Sequence, residues 1–97
     1  MEIRKTGLFD QWLNSLRDRK AKIKILSRID RAERGNLGDH KQVEGPIWEM
    51  RIDYGPGYRL YYAQQGHTIY LILCGGDKSS QSKDIQLALE MWRAINE

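Results

Sequence analysis

The chain has 97 residues, of which 40% are hydrophobic and 30% are charged, and its formal net charge is +3. These values are typical of one soluble globular domain, residues 1–97, and leave no room for a second. No apolar stretch approaches the length of a membrane span, the first residues lack the pattern of a secretory leader, and the single Cys74 cannot form an internal disulfide. We therefore expect a cytoplasmic protein that makes no use of a membrane.

Positive charge is concentrated in the first third of the chain. Residues 1–34 hold ten Lys and Arg against five Asp and Glu, whereas residues 35–97 hold six against eight. This asymmetry suits a polyanionic partner, either a nucleic acid or an acidic protein segment. A basic helix that simply faces solvent has the same composition, so charge alone does not decide between these interpretations.

The first third of the chain has the pattern of a helical hairpin. Residues 2–6 could form an edge strand, after which apolar residues recur at helical spacing, namely Phe9, Trp12, Leu13 and Leu16. Asp18 can cap a second helix, which Gly35 would end. We expect one face of that helix to be buried, with most of its arginines and lysines on the other, and the buried face to comprise Lys22, Ile25, Leu26, Ile29 and Ala32.

The pattern then changes to the alternation of β-strands. A short strand over residues 41–44 and a Gly45-Pro46 turn precede residues 47–54, in which apolar side chains alternate with Glu49, Arg51 and Asp53. The segment from Tyr54 to Tyr58 reverses the chain into a return strand that carries Arg59. A two-residue loop would put the two arginines on opposite faces. We favour an odd-numbered loop, with Arg59 opposite Asp53, which puts both on one face.

Residues 68–74 are apolar on both sides and predict a central strand, which Gly75 and Gly76 would end. A final amphipathic helix is indicated by Ile85, Ala88, Leu89, Trp92 and Ile95. The predicted fold is therefore α+β, a small antiparallel β-meander with an N-terminal helical hairpin and a C-terminal helix, the helices lying on one side of the sheet.

Three cations are the first candidates for chemistry. Arg51 and Arg59 offer forked donors that suit phosphate oxygens, although Arg51 could instead pair with Glu49 or Asp53. Lys78 follows two glycines at a strand-to-helix turn, where backbone N–H groups also favour anions. Together they indicate a phosphate-binding face.

Other residue types give weaker signals. His40 and His67 could transfer protons near neutral pH, but both lie in predicted loops, where histidines are commonly exposed bystanders. Tyrosines interleave with the cations and could stack on bases, although strand tyrosines more often pack in a core. No Cys or His spacing typical of a metal site is present, and Cys74 reads as an inert core residue.

Two stretches of the sequence, WEMRIDYGPGYRLYY and LILCGGDKSSQSKDIQLAL, resemble the RelE/ParE superfamily of toxins from bacterial toxin–antitoxin pairs. The start of the first helix, the loop GNLGD and Trp92 fit the branch called addiction module killer proteins, akin to HigB. The resemblance covers nearly the whole chain. The helix and strand order derived above also agrees with the fold of that family.

The resemblance implies a type II toxin that halts translation by cleaving messenger RNA on the ribosome, without a metal or another cofactor. In such enzymes the 2'-hydroxyl attacks its own neighbouring phosphate. Arg59 matches the family's arginine on the phosphate, Arg51 a cation on the preceding strand and Lys78 a basic position after the central strand. RNA contacts are expected from the side chains that flank these cations or carry the helix charge, namely Tyr58, Tyr61, His67, Arg31 and Lys24.

One departure from the family pattern concerns proton transfer. Many active relatives carry a tyrosine or histidine near the start of the last helix or at the C-terminus, where this chain has Asp84, Ile85, Asn96 and Glu97. Either His67, Tyr61 or Lys78 takes this role, or catalysis rests on positioning and charge.

The departure also leaves two other functions open. One is a toxin like ParE, which binds DNA gyrase and cleaves no RNA. The other is an inactive interaction module whose basic helices bind an antitoxin and DNA during transcriptional autoregulation. The partners implied are an antitoxin, the ribosome and messenger RNA, with operator DNA contacted only through the toxin–antitoxin complex.

Overall fold

The computed structural model describes residues 1–96, which form a five-stranded sheet and three helices. The strands are β1 (Glu2–Lys5), β2 (His40–Glu44), β3 (Ile47–Ile52), β4 (Tyr58–Gln64) and β5 (Ile69–Asp77). The helices are α1 (Gly7–Ser15), α2 (Arg19–Glu33) and α3 (Gln81–Ile95), and one 3-10 turn, Lys78–Ser80, joins β5 to α3. The predicted α+β class and the order of its elements are confirmed.

The sheet has the strand order β1-β5-β4-β3-β2. Strands β2 to β5 form the predicted antiparallel meander, whereas β1 runs parallel to β5 along the opposite edge. The sheet is therefore mixed. The helical hairpin carries the chain from β1 across to β2 at the far edge, and the meander then returns it to β5 beside β1.

Helices cover both faces of the sheet, so the expectation that they lie on one side is wrong. Phe9, Leu13 and the buried face of α2 pack on one face, against residues that include Met50 and Leu60. Helix α3 packs on the other face through Ala88 and Leu89. Strands β4 and β5 are apolar on both faces, and burying both requires two layers of helix.

The second helix is rotated relative to its predicted orientation. Asp18 caps it as expected, since its carboxylate accepts hydrogen bonds from the backbone N–H groups of Lys20 and Ala21. Leu26, predicted to be buried, is 48% exposed, whereas Arg28, predicted to face solvent, is only 7% exposed. Arg28 is buried because its guanidinium satisfies backbone carbonyls that would otherwise lack donors. No helix within residues 1–96 is long and apolar enough to cross a membrane.

Strand β5 continues through its two glycines to Asp77 and does not end at them as predicted. A β-bulge between Tyr61 and Tyr62 of β4 shifts the register, so that Tyr61 pairs with Cys74 and Tyr62 with Ile72. Beyond the bulge, a Cβ on Gly75 would lie 2.4 Å from the Trp12 ring, and one on Gly76 would lie 1.8 Å from an Asp84 carboxylate oxygen. The glycines allow helices on both faces to pack directly on the backbone of β5.

We expect Gly75→Ala to lower the free energy of unfolding by roughly 1–3 kcal/mol, because the added methyl group forces the Trp12 ring out of its place in the core. Gly66→Ala is the matched control, since a Cβ at Gly66 meets no atom within 4 Å. Urea denaturation of both variants measures the difference. Equal midpoints for the two would contradict close packing of Trp12 on β5.

Candidate functional site

The two strand arginines lie directly opposite each other. Arg51 on β3 is the register partner of Arg59 on β4, and the loop of residues 53–57 between the strands has five residues. The prediction that an odd loop puts both arginines on one face is confirmed. The predicted partner was wrong, because Arg59 faces Arg51 and Asp53 belongs to the loop.

The arginines open onto a cleft that α3 leaves uncovered. Helix α3 begins at Gln81 and covers the sheet face only over the positions next to Tyr61 and Ala63. Beyond its start lies an open depression of about 410 Å³. We call it the cationic cleft and define it by Asp39, Arg51, Asp53, Gly57, Arg59 and Lys78. All three cations named from the sequence therefore line one cleft.

A buried carboxylate, that of Glu49, positions the guanidinium of Arg59. Its Nε donates to Glu49 Oε2 at 3.3 Å, and its Nη1 donates to the carbonyl of Gly57 at 3.2 Å. The Glu49 side chain is fully buried, and its other oxygen accepts from Gln81 Nε2 at 3.0 Å. Within residues 1–96, Nη2 of Arg59 has no protein acceptor and remains a donor for the cleft.

Glu49 is the residue of this site that sequence reasoning missed. It was noted only as part of a charged strand face and as a partner for Arg51. Its sequence signal was weak, because a carboxylate that alternates with apolar residues next to Arg51 is expected to face solvent, and its burial appears only once α3 is placed. The first residue of α3 is placed by the same carboxylate, so Glu49 connects the arginine to the helix.

Arg51 has a different partner from either of those considered. Its Nη2 and Nε donate to Asp39 Oδ1 at 2.8 and 3.2 Å. Both side chains are substantially exposed, Arg51 at 36% and Asp39 at 57%. This hydrogen bond lowers the pKa of Asp39 and raises that of Arg51. Because it lies in solvent, the pair can exchange Asp39 for another anion at small cost.

Lys78 lies on the 3-10 turn across the cleft from β3. It is exposed, and its Cβ lies 3.5 Å from the position that a Cβ on Gly57 would occupy. Two of the backbone N–H groups expected to favour an anion at this turn are occupied, since those of Lys78 and Ser79 donate to Pro56 O and Asp77 Oδ1. The side chain of Lys78 is thus the cation that this turn provides.

The residues expected to contact RNA do not all lie near the cationic cleft. Lys24 and Arg31 line a groove of about 450 Å³ between α2 and the end of β3, which adjoins the cationic cleft at Ile52 and Asp53. The Lys24 ammonium lies 5.2 Å from the centre of the Tyr54 ring. These two cations extend the positive surface of the cleft.

The two tyrosines and His67 do not join this surface. Tyr58 is 9% exposed and packs against Trp12 on the opposite face from Arg59. Tyr61 is fully buried, and burial raises the pKa of its phenol. His67 is exposed in the β4–β5 turn, at the other end of β4 from Arg59. Periodicity placed these residues on strands and loops but could not show which helix covers which face.

Arg28 fixes the loop that supplies Asp39. Its guanidinium donates to the carbonyls of Leu37 at 2.9 Å and Asp39 at 3.1 Å, and also to that of Arg51. Gly38 lies against it with φ of +65°, where a side chain would be both strained and in collision with the guanidinium. Arg28 therefore joins α2, the loop and β3.

Within residues 1–96, no group of three or more His, Cys, Asp or Glu side chains could hold a metal ion. Cys74 is buried, and burial raises the pKa of its thiol to about 12. The site consists of two arginines, a lysine and the carboxylates that position them.

Comparison with known proteins places this site in a family. The model of the family described as "Phage derived protein Gp49-like (DUF891)" matches residues 11–93. The chain belongs to the Gp49-like family. This family is part of the RelE toxin-like superfamily. A protein of Haemophilus influenzae, described as "Uncharacterized protein", is 49% identical over 88 residues, which cover 91% of this chain and 89% of that protein.

The Arg51–Asp39 pair predicts part of the pH dependence of stability. The pKa of Asp39 is lower when folded than its ordinary value of 3.8, so the pair stabilises the fold above that pH and this contribution is lost as pH falls below it. We expect Asp39→Asn to reduce the loss of stability between about pH 5 and pH 2. Urea denaturation across that range measures the slope.

The reciprocal variant Arg51→Gln removes the same pair. It should reduce the slope of the free energy of unfolding against pH by a similar amount. The double variant should then behave like either single one. Additive effects would show that Asp39 and Arg51 are not coupled.

Proposed function

We propose that this Gp49-like protein is the toxin of a type II toxin–antitoxin pair, and that it cleaves messenger RNA on the translating ribosome without a metal. The observation that carries the proposal is the convergence of Arg51, Arg59 and Lys78 on one open cleft, from three different elements. A cleft with three cations suits a phosphate whose negative charge increases in the transition state. The resemblance to the addiction module killer branch supports the same chemistry.

The reaction needs only the RNA strand and proton transfers. The substrate's 2'-oxygen forms a bond to the adjacent phosphorus as its proton leaves, and the bond from phosphorus to the 5'-oxygen breaks. The leaving oxygen takes up a proton. The products are a 2',3'-cyclic phosphate and a 5'-hydroxyl end, with no net gain or loss of protons.

Arg59 is the fixed donor in this mechanism. Glu49 and the Gly57 carbonyl occupy Nε and Nη1, which orients the guanidinium and leaves Nη2 for a phosphate oxygen. A donor held in place before the reaction need not reorganise as charge develops, which makes it more effective than a mobile one. Glu49 acts through Arg59 and is a positioning residue.

Lys78 is the best placed of the three residues considered for proton transfer. Tyr61 is buried, and His67 lies beyond the other end of β4, whereas Lys78 lines the cleft. The ammonium of Lys78 is a donor that can reach the cleft and supply a proton to the leaving oxygen. The proton of the 2'-hydroxyl passes to solvent or to the exposed carboxylate of Asp53 in the cleft.

The antitoxin is proposed to bind the outer face of α2. Ile23 and Leu26 are 66% and 48% exposed on this helix. The same helix carries the exposed cations Arg19, Lys20, Arg31 and Arg34, and an exposed Asp30 that pairs with Arg34. Two apolar anchors within a basic rim suit an acidic amphipathic segment. A segment bound there would also reach the groove lined by Lys24 and Arg31 beside the cleft.

We expect Arg59→Lys to lower message cleavage by about 10²-fold or more, because lysine keeps the charge against Glu49 but lacks the planar fork. Arg93→Lys is the matched control on the exposed end of α3. Cells induced for each variant are analysed by mapping 5' ends on translated messages. Cuts inside coding regions with 5'-hydroxyl ends should appear with the control and disappear with Arg59→Lys.

Growth arrest with intact messages would refute the nuclease proposal, and an assay of gyrase supercoiling would then test the ParE-like alternative. The substitution Arg59→Ala is less informative alone, because it leaves Glu49 buried without its cation. Removing one partner of such a pair typically costs about 3–5 kcal/mol of stability. A loss of toxicity in that variant could reflect unfolding.

Lys78→Met should slow cleavage by about 10²-fold or more if the ammonium serves the leaving oxygen, while leaving the fold unchanged because Lys78 is exposed. Lys83→Met is the matched control, since Lys83 is also exposed but does not line the cationic cleft. Cleavage rates in a reconstituted translation reaction compare the two variants. Equal rates would exclude Lys78 from the chemistry.

A further inference from the structure

A small pocket lies on the opposite face of the sheet from the cationic cleft. Helix α2 ends at Glu33 and covers this face only over the positions next to residues such as Met50 and Leu60. The ends of the strands beyond it carry large side chains with no helix above them. We call this site the aromatic pocket and define it by Leu37, His40, Trp48, Tyr62, Gln64 and Tyr70.

The aromatic pocket has the size of one planar ring system. Its volume is about 120 Å³, and it is more enclosed than the cationic cleft. For comparison, a cavity of about 150 Å³ holds a benzene molecule. Trp48 and Tyr70 are both half-buried, and His40 lies with its ring centre 5.8 Å from that of Trp48. Aromatic walls of this kind favour stacking on a flat ligand.

Polar groups in the pocket suit a ligand with hydrogen-bonding edges. Tyr62 lines the pocket, and its buried hydroxyl has no partner within residues 1–96. Such a group is costly unless something else satisfies it. The Nδ1 atom of His40 lies 2.8 Å from the carbonyl of Gly38 and can donate to it, which leaves Nε2 for another partner. The side chain of Gln64 adds both a donor and an acceptor.

We propose that the aromatic pocket binds a single nucleobase. A base combines a flat face that stacks on aromatic rings with an edge of donors and acceptors, and both features are matched by the walls and by Tyr62, His40 and Gln64. A purely apolar ring would leave the Tyr62 hydroxyl unsatisfied.

The source of the base is an unpaired RNA strand, and this part rests on the proposed function. Asp39, in the cleft, and His40, in the pocket, are consecutive residues at the start of β2, which is an edge strand of the sheet. A strand that passes over this edge can place a phosphate in the cleft and a base in the pocket. The pocket would then contribute to the choice of sequence at which the protein acts.

Binding is tested with the four ribonucleoside 5'-monophosphates and with a short RNA strand whose 2'-O-methyl groups prevent cleavage. NMR resonances of the Trp48 indole N–H and the Gln64 side-chain amide report on the pocket. We expect saturable shifts with at least one nucleotide, and Tyr62→Phe should weaken binding roughly three- to tenfold, the effect of losing one net hydrogen bond. Removal of an unpartnered hydroxyl should leave the fold intact.

The matched control is Tyr61→Phe, which also removes a buried hydroxyl without a partner, but on the face that α3 covers. It should leave nucleotide binding unchanged. The proposal is overturned if no nucleotide or strand gives saturable shifts, if Tyr61→Phe and Tyr62→Phe have equal effects, or if only a protein partner shifts these resonances.

Two comparisons test the source of the base and the nuclease proposal independently of each other. Tighter binding of the strand than of the mononucleotide, with both weakened by Tyr62→Phe, supports an RNA strand, whereas equal affinities support a free nucleotide. Arg93→Lys, at the exposed end of α3, should leave mononucleotide binding unchanged. If nucleotides bind but no message is cleaved, the nuclease proposal fails and the pocket stands. If messages are cleaved but no nucleotide binds, the pocket proposal fails and the nuclease proposal stands.

Discussion

Two arginines face each other across neighbouring strands, and the rest of the site is arranged to stabilise that pair. Like charges at directly opposed positions of an antiparallel sheet destabilise it. Arg51 and Arg59 are register partners, and each has a carboxylate of its own, Asp39 at the sheet edge and Glu49 in the interior. The two carboxylates hold the guanidiniums in place while leaving the space between them open. This constraint gives the cleft its shape.

Each carboxylate depends in turn on a helix. Glu49 also accepts from Gln81, the first residue of α3, so the pair with Arg59 fixes where that helix starts. Asp39 lies in a loop whose carbonyls are held by Arg28 of α2. A substitution at Arg28 would therefore act on the Arg51 side chain in two ways, through the loop that carries Asp39 and through the Arg51 carbonyl, to which Arg28 also donates. Helices on both faces of the sheet are thus connected to the same two arginines.

The class and order of the elements were predictable from the sequence because the apolar periodicity is strong in every element. That the β3–β4 loop has an odd number of residues was predictable for the same reason. The predictions that were wrong concern which helix covers which face of the sheet. Arg28 was expected to face solvent because it is a cation, yet it lies on the buried face of α2 and donates to carbonyls outside the helix, and Tyr58 is buried by Trp12 of α1. Glu49 shows its role only when its cation and Gln81 are seen together.

The three cations of the cleft differ in how freely they can move, and this difference bears on the missing tyrosine or histidine. Arg59 is nearly buried and bound to a carboxylate with no access to solvent, so its charge is a fixed part of the site. Arg51 shares its donors with an exposed Asp39, so an entering phosphate has only to replace one weak ion pair. Lys78 is exposed and can follow a reacting atom. One fixed, one exchangeable and one mobile cation can bind a phosphate, neutralise its added charge and donate a proton in sequence, which reduces the need for a further acid at the last helix.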